Sequence, residues 1–443
     1  MGHWHPSGMR AFALIWVGQV FSLTGTTMST FALTLWAWGE TGTATSLSLV
    51  AFFSFVPMVL IAPLAGALVD RWNRRLTMAI SDTGSGVMTL IVVLLYLTGR
   101  LEVWHLFITG TFTSIFQAFQ WPAYSSTISV LVPKEHYARA SGMMSIAESG
   151  SAILAPILAG ALYGRIGLPG ILAIDVCTLM LALLTLFQVE IPTIPRLGAS
   201  KGTSLIKDSL FGIEYILKNK SLFYLQLVFF FGNFVSTIGS TLINPMVLSR
   251  TANNEKILAT VQSIGAFGGI ASALLITVWG GPQRKVNGVL LGWALSGLLG
   301  LFVIGVGKTP LVWIIGAFFT SFFNIFIGSS NQAIWQAKVP PALQGRVFAI
   351  RMIVAQLATP LALLATGPLA DQIFEPALQD TESLASRLLI DVFGASPGSG
   401  MAFLIALNGL LTACIGFLGY AFSSVRDVEK RIPDHDLVEG SYE

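Results

Sequence analysis

The chain has 443 residues, 54% of them hydrophobic and only 11% charged, with a formal net charge of +3 and a mean hydropathy of +0.74. A soluble domain carries roughly 25% charged residues, so a water-soluble globule is excluded and a polytopic membrane protein is expected. No Gly-x-x-x-x-Gly-Lys-(Ser/Thr) loop is present, so ATP is not the energy source. His3 and His5 flank Trp4 in what reads as an exposed interfacial tail, and the N-terminus lacks the basic patch and cleavage site of a signal peptide.

A membrane span needs about 20 mostly apolar residues. That ruler places six spans at 11–38, 47–69, 76–97, 104–131, 141–164 and 169–189. Six more follow at 222–248, 258–280, 286–306, 310–336, 350–372 and 401–424. The expected fold is all-α, with twelve transmembrane helices in two pseudo-symmetric six-helix bundles, 1–190 and 222–425. A polar linker, 191–221, joins them, and its 204–217 part fits a surface amphipathic helix. Residues 426–443 read as a polar tail. Cys177 and Cys414 fall inside apolar runs and are expected to be small buried packing residues, without a disulfide or metal set.

Loop charge sets the orientation. With the N-terminus in the cytoplasm, the outer side keeps only Arg100, Arg165, Arg250, Lys256, Lys308 and Arg387, which leaves 19 of the 25 Lys and Arg inside. Both termini are therefore expected in the cytoplasm. An internal repeat supports two halves. Val132-Pro133 leads to Arg139, and Val339-Pro340 leads by the same spacing to Arg346. The helices that follow carry Pro156 and Pro360, in registers that differ by three residues.

Between the second and third spans the chain reads Gly66-Ala67-Leu68-Val69-Asp70-Arg71-Trp72-Asn73-Arg74-Arg75. So short a loop makes the flanking helices antiparallel neighbours. The pattern Gly-x-x-x-Asp-Arg-x-(Gly/Asn)-Arg-(Arg/Lys) resembles the signature between helices 2 and 3 of the major facilitator superfamily. Asn73 stands where glycine is usual, as the next best residue for a left-handed turn. The segments Val132-Pro133-Lys134-Glu135, 339–348 and Gly367-Pro368-Leu369-Ala370-Asp371 look like the drug:proton antiporter group that includes macrolide efflux proteins.

That resemblance implies secondary efflux from the cytoplasm across a bacterial inner membrane. An amphiphilic small molecule, drug- or macrolide-like, would leave by alternating access of the two bundles as protons enter. The implied partners are the substrate, protons and the lipid bilayer; the chain is expected to act as a monomer, with no cofactor, metal, nucleic acid or enzymatic activity. A siderophore or lipid-like metabolite is the alternative cargo, and a transporter-like membrane sensor is the alternative of another class.

The resemblance also assigns residues. Helix 5 carries Gly142, Ser151, Ala155, Pro156, Ala159 and Gly160, similar to the family's antiporter motif with Ser and Ala in place of several glycines. Small residues permit close helix approach, and in the family this face packs on helix 8. Glu148 shares the stripe of Ser151 and Ala155, at offsets of three and seven, and is the candidate for proton uptake; a structural, hydrogen-bonded carboxylate is the other reading. Asp82 and Asp175 are weaker candidates for the same role and read first as wetted or hydrogen-bonded structural residues, and Asp371 reads as solvated. Gly66, Asp70, Arg71, Arg74 and Arg75, with Arg346 and Arg351 at the opening of helix 11, form a candidate conformational latch, because the family packs helices 2 and 11 together. Helix 4 lacks the Arg that many proton-coupled exporters of the family carry. In this fold helices 1, 4, 7 and 10 line the central path. Gln19, Gln117, Gln120, Asn233, Asn244, Asn324 and Asn331, with Phe230 and Phe323, then give a neutral, hydrogen-bonding and aromatic wall, suited to a bulky amphiphile.

Overall fold

The computed structural model describes residues 8–69, 72–191, 205–379 and 384–434; the side chains of 205–210 and 384–388 and of Ala67, Ala138, Ala342 and Gln379 are not described. Asp70 and Arg71, and the tail histidines, lie outside the described residues.

Helices α1 (Gly8–Thr41), α2 (Ala44–Val69), α3 (Arg74–Leu97) and α4 (Val103–Leu131) follow in order. Helix α5 (Tyr137–Phe187) is broken at Gly167, whose φ of 62° and ψ of −173° suit a residue without a Cβ. Its limbs, 137–166 and 168–187, correspond to the fifth and sixth expected spans. The linker forms α6 (Leu205–Lys218), an amphipathic helix as expected, and α7 (Lys220–Thr241), α8 (Ile243–Arg250) and α9 (Glu255–Trp279) follow. Helix α10 (Lys285–Leu295) continues through a π-helical stretch, Ser296–Phe302, into α11 (Val303–Val306). Next come α12 (Pro310–Lys338) and α13 (Pro341–Pro368), the latter running through a second π-helical stretch, Leu369–Phe374, into α14 (Glu375–Gln379). The chain ends with α15 (Leu384–Phe393), α16 (Ser399–Ala421), α17 (Ser423–Arg426) and α18 (Val428–Arg431).

Among the described residues, ten helical stretches are long and apolar enough to cross a membrane. One of them, 134–187, contains both limbs of α5, and α4, 29 residues long, is of spanning length but carries too many hydroxyls and amides to count as apolar. Counting the limbs separately and adding α4 gives the twelve expected spans.

Four local expectations change. Helix α13 starts at Pro341, nine residues before the apolar run at 350. Proline is preorganised for the first helical position, and the polar turns after it escape a hydropathy ruler. Arg346 and Arg351 therefore lie inside α13 rather than at its opening. Asn73 is not left-handed: its φ is −69° and its side chain accepts a hydrogen bond from Leu76 N at 3.1 Å, so asparagine serves here as the N-cap of α3. Cys177 and Cys414 are exposed, not buried; a thiol is apolar enough to sit on the outer face of an apolar helix. Helix α15 was not expected.

The chain divides into two compact units: Met1–Leu197 with Thr251–Ser263, and Gly198–Arg250 with Ile264–Glu443. In the first, α1 packs along α5, and α2 and α3 pack on α4. Gly18 and Gly25, two turns apart on α1, allow that approach. A Cβ at Gly18 would stand 3.0 Å from Ala182 Cα, and one at Gly25 would stand 3.1 Å from Asp175 Cα. Phe12, Ile15, Met78 and Leu186 are in its core. In the second unit α7 packs on α13 and α16, and α10 on α12 and α16, around Leu222, Leu225, Trp293, Trp335 and Val347. The repeated corners share one backbone geometry. Val132 ends α4 at φ −101° and ψ 132°, Val339 ends α12 at −105° and 122°, and Pro133 and Pro340 follow at −59°, 145° and −53°, 139°.

Candidate transport cavity

Three stripes of polar residues in the first unit converge on a cavity of about 330 Å³. Gln19, Ser22 and Thr26 come from α1 and Gln117, Gln120 and Tyr124 from α4, each set at offsets of three and seven, so each forms one helix face. Ser81, Asp82 and Ser85 come from α3, and Met144, Ala147 and Glu148 from the first limb of α5.

Asp82 is the centre of the polar network. It is only 6% exposed. Gln19 Nε2 donates to its Oδ2 at 3.0 Å, and Gln120 Nε2 donates to its Oδ1 at 3.0 Å and to Gln19 Oε1 at 3.2 Å. Asp82 is hydrogen-bonded as expected, and it also lines the cavity, a position that its sequence context does not reveal. Gln120 Oε1 and the Tyr124 hydroxyl are buried at this wall without a partner. Buried polar groups are seldom left so, and both are available to a ligand. Tyr124 is itself fixed by stacking on Phe12, with ring centroids 6.3 Å apart.

Glu148 is exposed and stands where this cavity meets a second, of about 410 Å³, whose wall includes Trp121, Tyr137, Ser141 and Ser145. Among the described residues it makes no hydrogen bond or ion pair, so the structural-carboxylate reading has no partner to support it. A third cavity, of about 260 Å³, shares Thr26 and Gln117 with the first and reaches Asp175. The expected neutral wall is thus acidic in the first unit, since Asp82 and Glu148 are the charged residues among the described lining of the first cavity.

The small-residue face of α5 is packed as its composition suggests. Ser151 is 2% exposed and its hydroxyl lies 2.9 Å from that of Thr24, and Ala155 and Ala159 are fully buried. Ser263 Oγ donates to Ile153 O at 2.8 Å, and a Cβ at Gly160 would stand 2.7 Å from that of Ala259. The partner of this face is therefore the start of α9, the eighth span. Pro156 is buried with it, whereas Gly142 is exposed and a Cβ there would meet none of the described residues within 4 Å.

The other sequence-selected residues do not join this cavity. Asn331 is fully buried, and its Oδ1 accepts from Trp335 Nε1 at 3.1 Å in its own helix. Asn233 and Asn244 are half-buried and Asn324 is exposed. Phe230 meets Phe231 edge-on, and Phe323 stacks on Phe319 at 6.0 Å. Among the latch candidates, a Cβ at Gly66 would meet none of the described residues within 4 Å, and Arg75 is held within the first unit, donating to Phe187 O at 2.5 Å and lying over the Phe187 ring. Arg74 opens α3. In the second unit Arg346 lies over Phe211, and Arg351 donates to Gln332 Oε1 at 2.8 Å and lies over Trp335.

The pattern of the Major Facilitator Superfamily matches residues 15–363 of the chain. The protein belongs to that superfamily. Macrolide efflux protein A of Streptococcus pyogenes is 28% identical over 369 residues, 82% of this chain and 90% of that protein. An uncharacterized transporter of the same superfamily from Bacillus subtilis, YkuC, is 27% identical over 372 residues, 79% of this chain and 84% of that protein. Among solved structures, the nucleoside transporter NupG covers 94% of this chain and is itself covered completely, at a TM-score of 0.68 and 13% identity. A bacterial homologue of the lysosomal transporter Spinster, inward-facing and unoccupied, covers 94% of this chain and 97% of its own, at a TM-score of 0.65 and 16% identity. The chain therefore has the all-α membrane fold of a superfamily transporter. It is a multi-span transporter related to drug-efflux proteins, not an enzyme.

Proposed function

We propose that the protein exports amphiphilic, macrolide- or drug-like molecules across a bacterial inner membrane in exchange for protons, acting as a monomer with both termini in the cytoplasm. The observation that carries this reading is the cavity in the first unit: hydroxyls, carboxamides and aromatic rings, with two carboxylates and no basic side chain among the described residues. The carboxylates favour a cargo that bears an amine. Similarity to a macrolide efflux protein along most of the chain supports the same class.

Transport would proceed by alternating access of two six-helix bundles, 1–190 and 222–425. Glu148, unpartnered at the junction of two cavities, is the residue to take up the proton. The Gly66–Arg75 hairpin with Arg346 and Arg351 would latch one side. Because Arg75 and Arg351 already have partners within their own units, Asp70 and Arg71 carry that part of the proposal.

The test is accumulation of a fluorescent macrolide by everted membrane vesicles, with and without a proton gradient. Glu148→Gln is expected to abolish gradient-driven accumulation and to leave counterflow intact. Accumulation equal to the parent would remove Glu148 from the mechanism; flux that ignores the gradient in the parent would make the protein a facilitator.

A further inference from the structure

Asp175, in the second limb of α5, is 4% exposed and lines the third cavity. Hydroxyls surround it. Thr26 Oγ1 donates to its Oδ1 at 3.0 Å and Thr89 Oγ1 to its Oδ2 at 3.2 Å. Ser29, itself only 4% exposed, lines the same cavity, and among the described residues its buried hydroxyl has no hydrogen-bond partner. Among the described residues no Lys, Arg or His lines this cavity or the adjoining one, where the titratable side chains are Asp82, Glu148 and Tyr124. Among the described residues Asp175 makes no ion pair.

A carboxylate held inside a membrane protein without a countercharge is costly, and it is neutralised either by a proton or by a bound cation. The two buried aspartates of this unit differ in what surrounds them. Asp82 receives amide N–H groups, which cannot ligate a cation unless both carboxamides flip and give up the hydrogen bond between them. Asp175 receives hydroxyls, whose oxygens keep lone pairs and turn from donor to ligand by rotation about one bond. Carboxylate and hydroxyl oxygens make the all-oxygen shell that hard cations take. One carboxylate balances one positive charge, and so few oxygens suit a small ion.

We propose that Asp175, Thr26, Ser29 and Thr89 form a binding site for a hard monovalent cation of sodium's size. Binding would tie α1, α3 and the second limb of α5 together at one point. It stands apart from the identity of the exported molecule, so a protein that exported none of the compounds tried would still show it.

The experiment follows thermal unfolding of the purified full-length protein in detergent by tryptophan fluorescence, with NaCl replacing choline chloride stepwise at constant pH and ionic strength. The parent is expected to show a saturable rise in Tm with sodium. Asp175→Asn should be flat, Asp82→Asn should respond like the parent, and Ser29→Ala and Thr89→Val should each need about tenfold more sodium or more for half-saturation. A Tm indifferent to sodium, an undiminished response in Asp175→Asn, or an equal rise with KCl would overturn the site. So would a stabilisation produced by acid alone in sodium-free buffer and lost in Asp175→Asn, which would assign a proton instead. Should Asp175→Asn fail to fold, the Thr89→Val titration decides, and an unchanged half-saturation overturns the proposal.

Discussion

The two units handle buried charge in opposite ways. The first buries acids, Asp82 and Asp175, and surrounds them with neutral donors. The second secures most of its buried charges with countercharges and backbone groups, Arg351 on Gln332 being the exception. Lys338, 6% exposed, donates to Glu429 O and to Asp434 Oδ1, both at 2.7 Å. Arg250 donates to Phe393 O at 2.6 Å and Gly307 O at 3.2 Å. Glu375 accepts from Gly398 N and Gly400 N at 2.6 and 2.9 Å, and Glu429 accepts from Lys285 N and Val286 N at 3.0 Å each. Carboxylates at helix N-termini answer unpaired N–H groups and the helix dipole. The difference teaches where each unit keeps its capacity to change. Charges met by fixed backbone partners hold elements in place, whereas acids met by rotatable amides and hydroxyls can accept a ligand without refolding.

Four substitutions test that contrast. Lys338→Met should destabilise the full-length protein by about 2–3 kcal/mol, because it strands two acceptors of a buried cation; thermal unfolding in detergent reads it, and a Tm equal to the parent's would mean the cation is not structural. Glu375→Ala should cost about 1–2 kcal/mol through the lost cap on α16, visible in the same measurement and as faster amide exchange at 398–401. Asp82→Asn should change stability by less than about 1 kcal/mol, since a glutamine flip keeps two of the three hydrogen bonds and the substitution removes a buried charge that has no countercharge among the described residues. A loss as large as that of Lys338→Met would erase the distinction between the units. At the surface, Lys218 beside Glu214 holds that carboxyl below the usual range by a hydrogen bond in an exposed pair 2.6 Å apart. A lowered folded-state pKa gives stability above the unfolded pKa that fades as pH falls, but solvent screens an exposed pair. Glu214→Gln should therefore track the parent's Tm from neutral pH down to acid.

Much of the fold was legible because bilayer thickness imposes a length on apolar runs. The Val-Pro corners were legible because proline cannot continue the preceding ladder and preorganises the next helix. Azimuth was not. In a soluble protein polarity marks the outer face, but here both the core and the surroundings of a helix are apolar. Sequence therefore placed Gln19, Gln120 and Asp82 on three helices without showing that they meet. The same ambiguity put Cys177 inside when it is outside, and left Asn331 among cavity residues although it is fully buried. The position of Glu148 was legible because its offset from Ser151 and Ala155 fixed its side of α5, and the cavity lies on that side.

The exposed thiols have a practical consequence. The chain contains two cysteines, Cys177 in the first unit and Cys414 in the second, both accessible. The natural sequence thus carries one attachment point per unit for a spin label or fluorophore, and lipid-soluble maleimides would turn the unmutated transporter into its own ruler for motion during turnover.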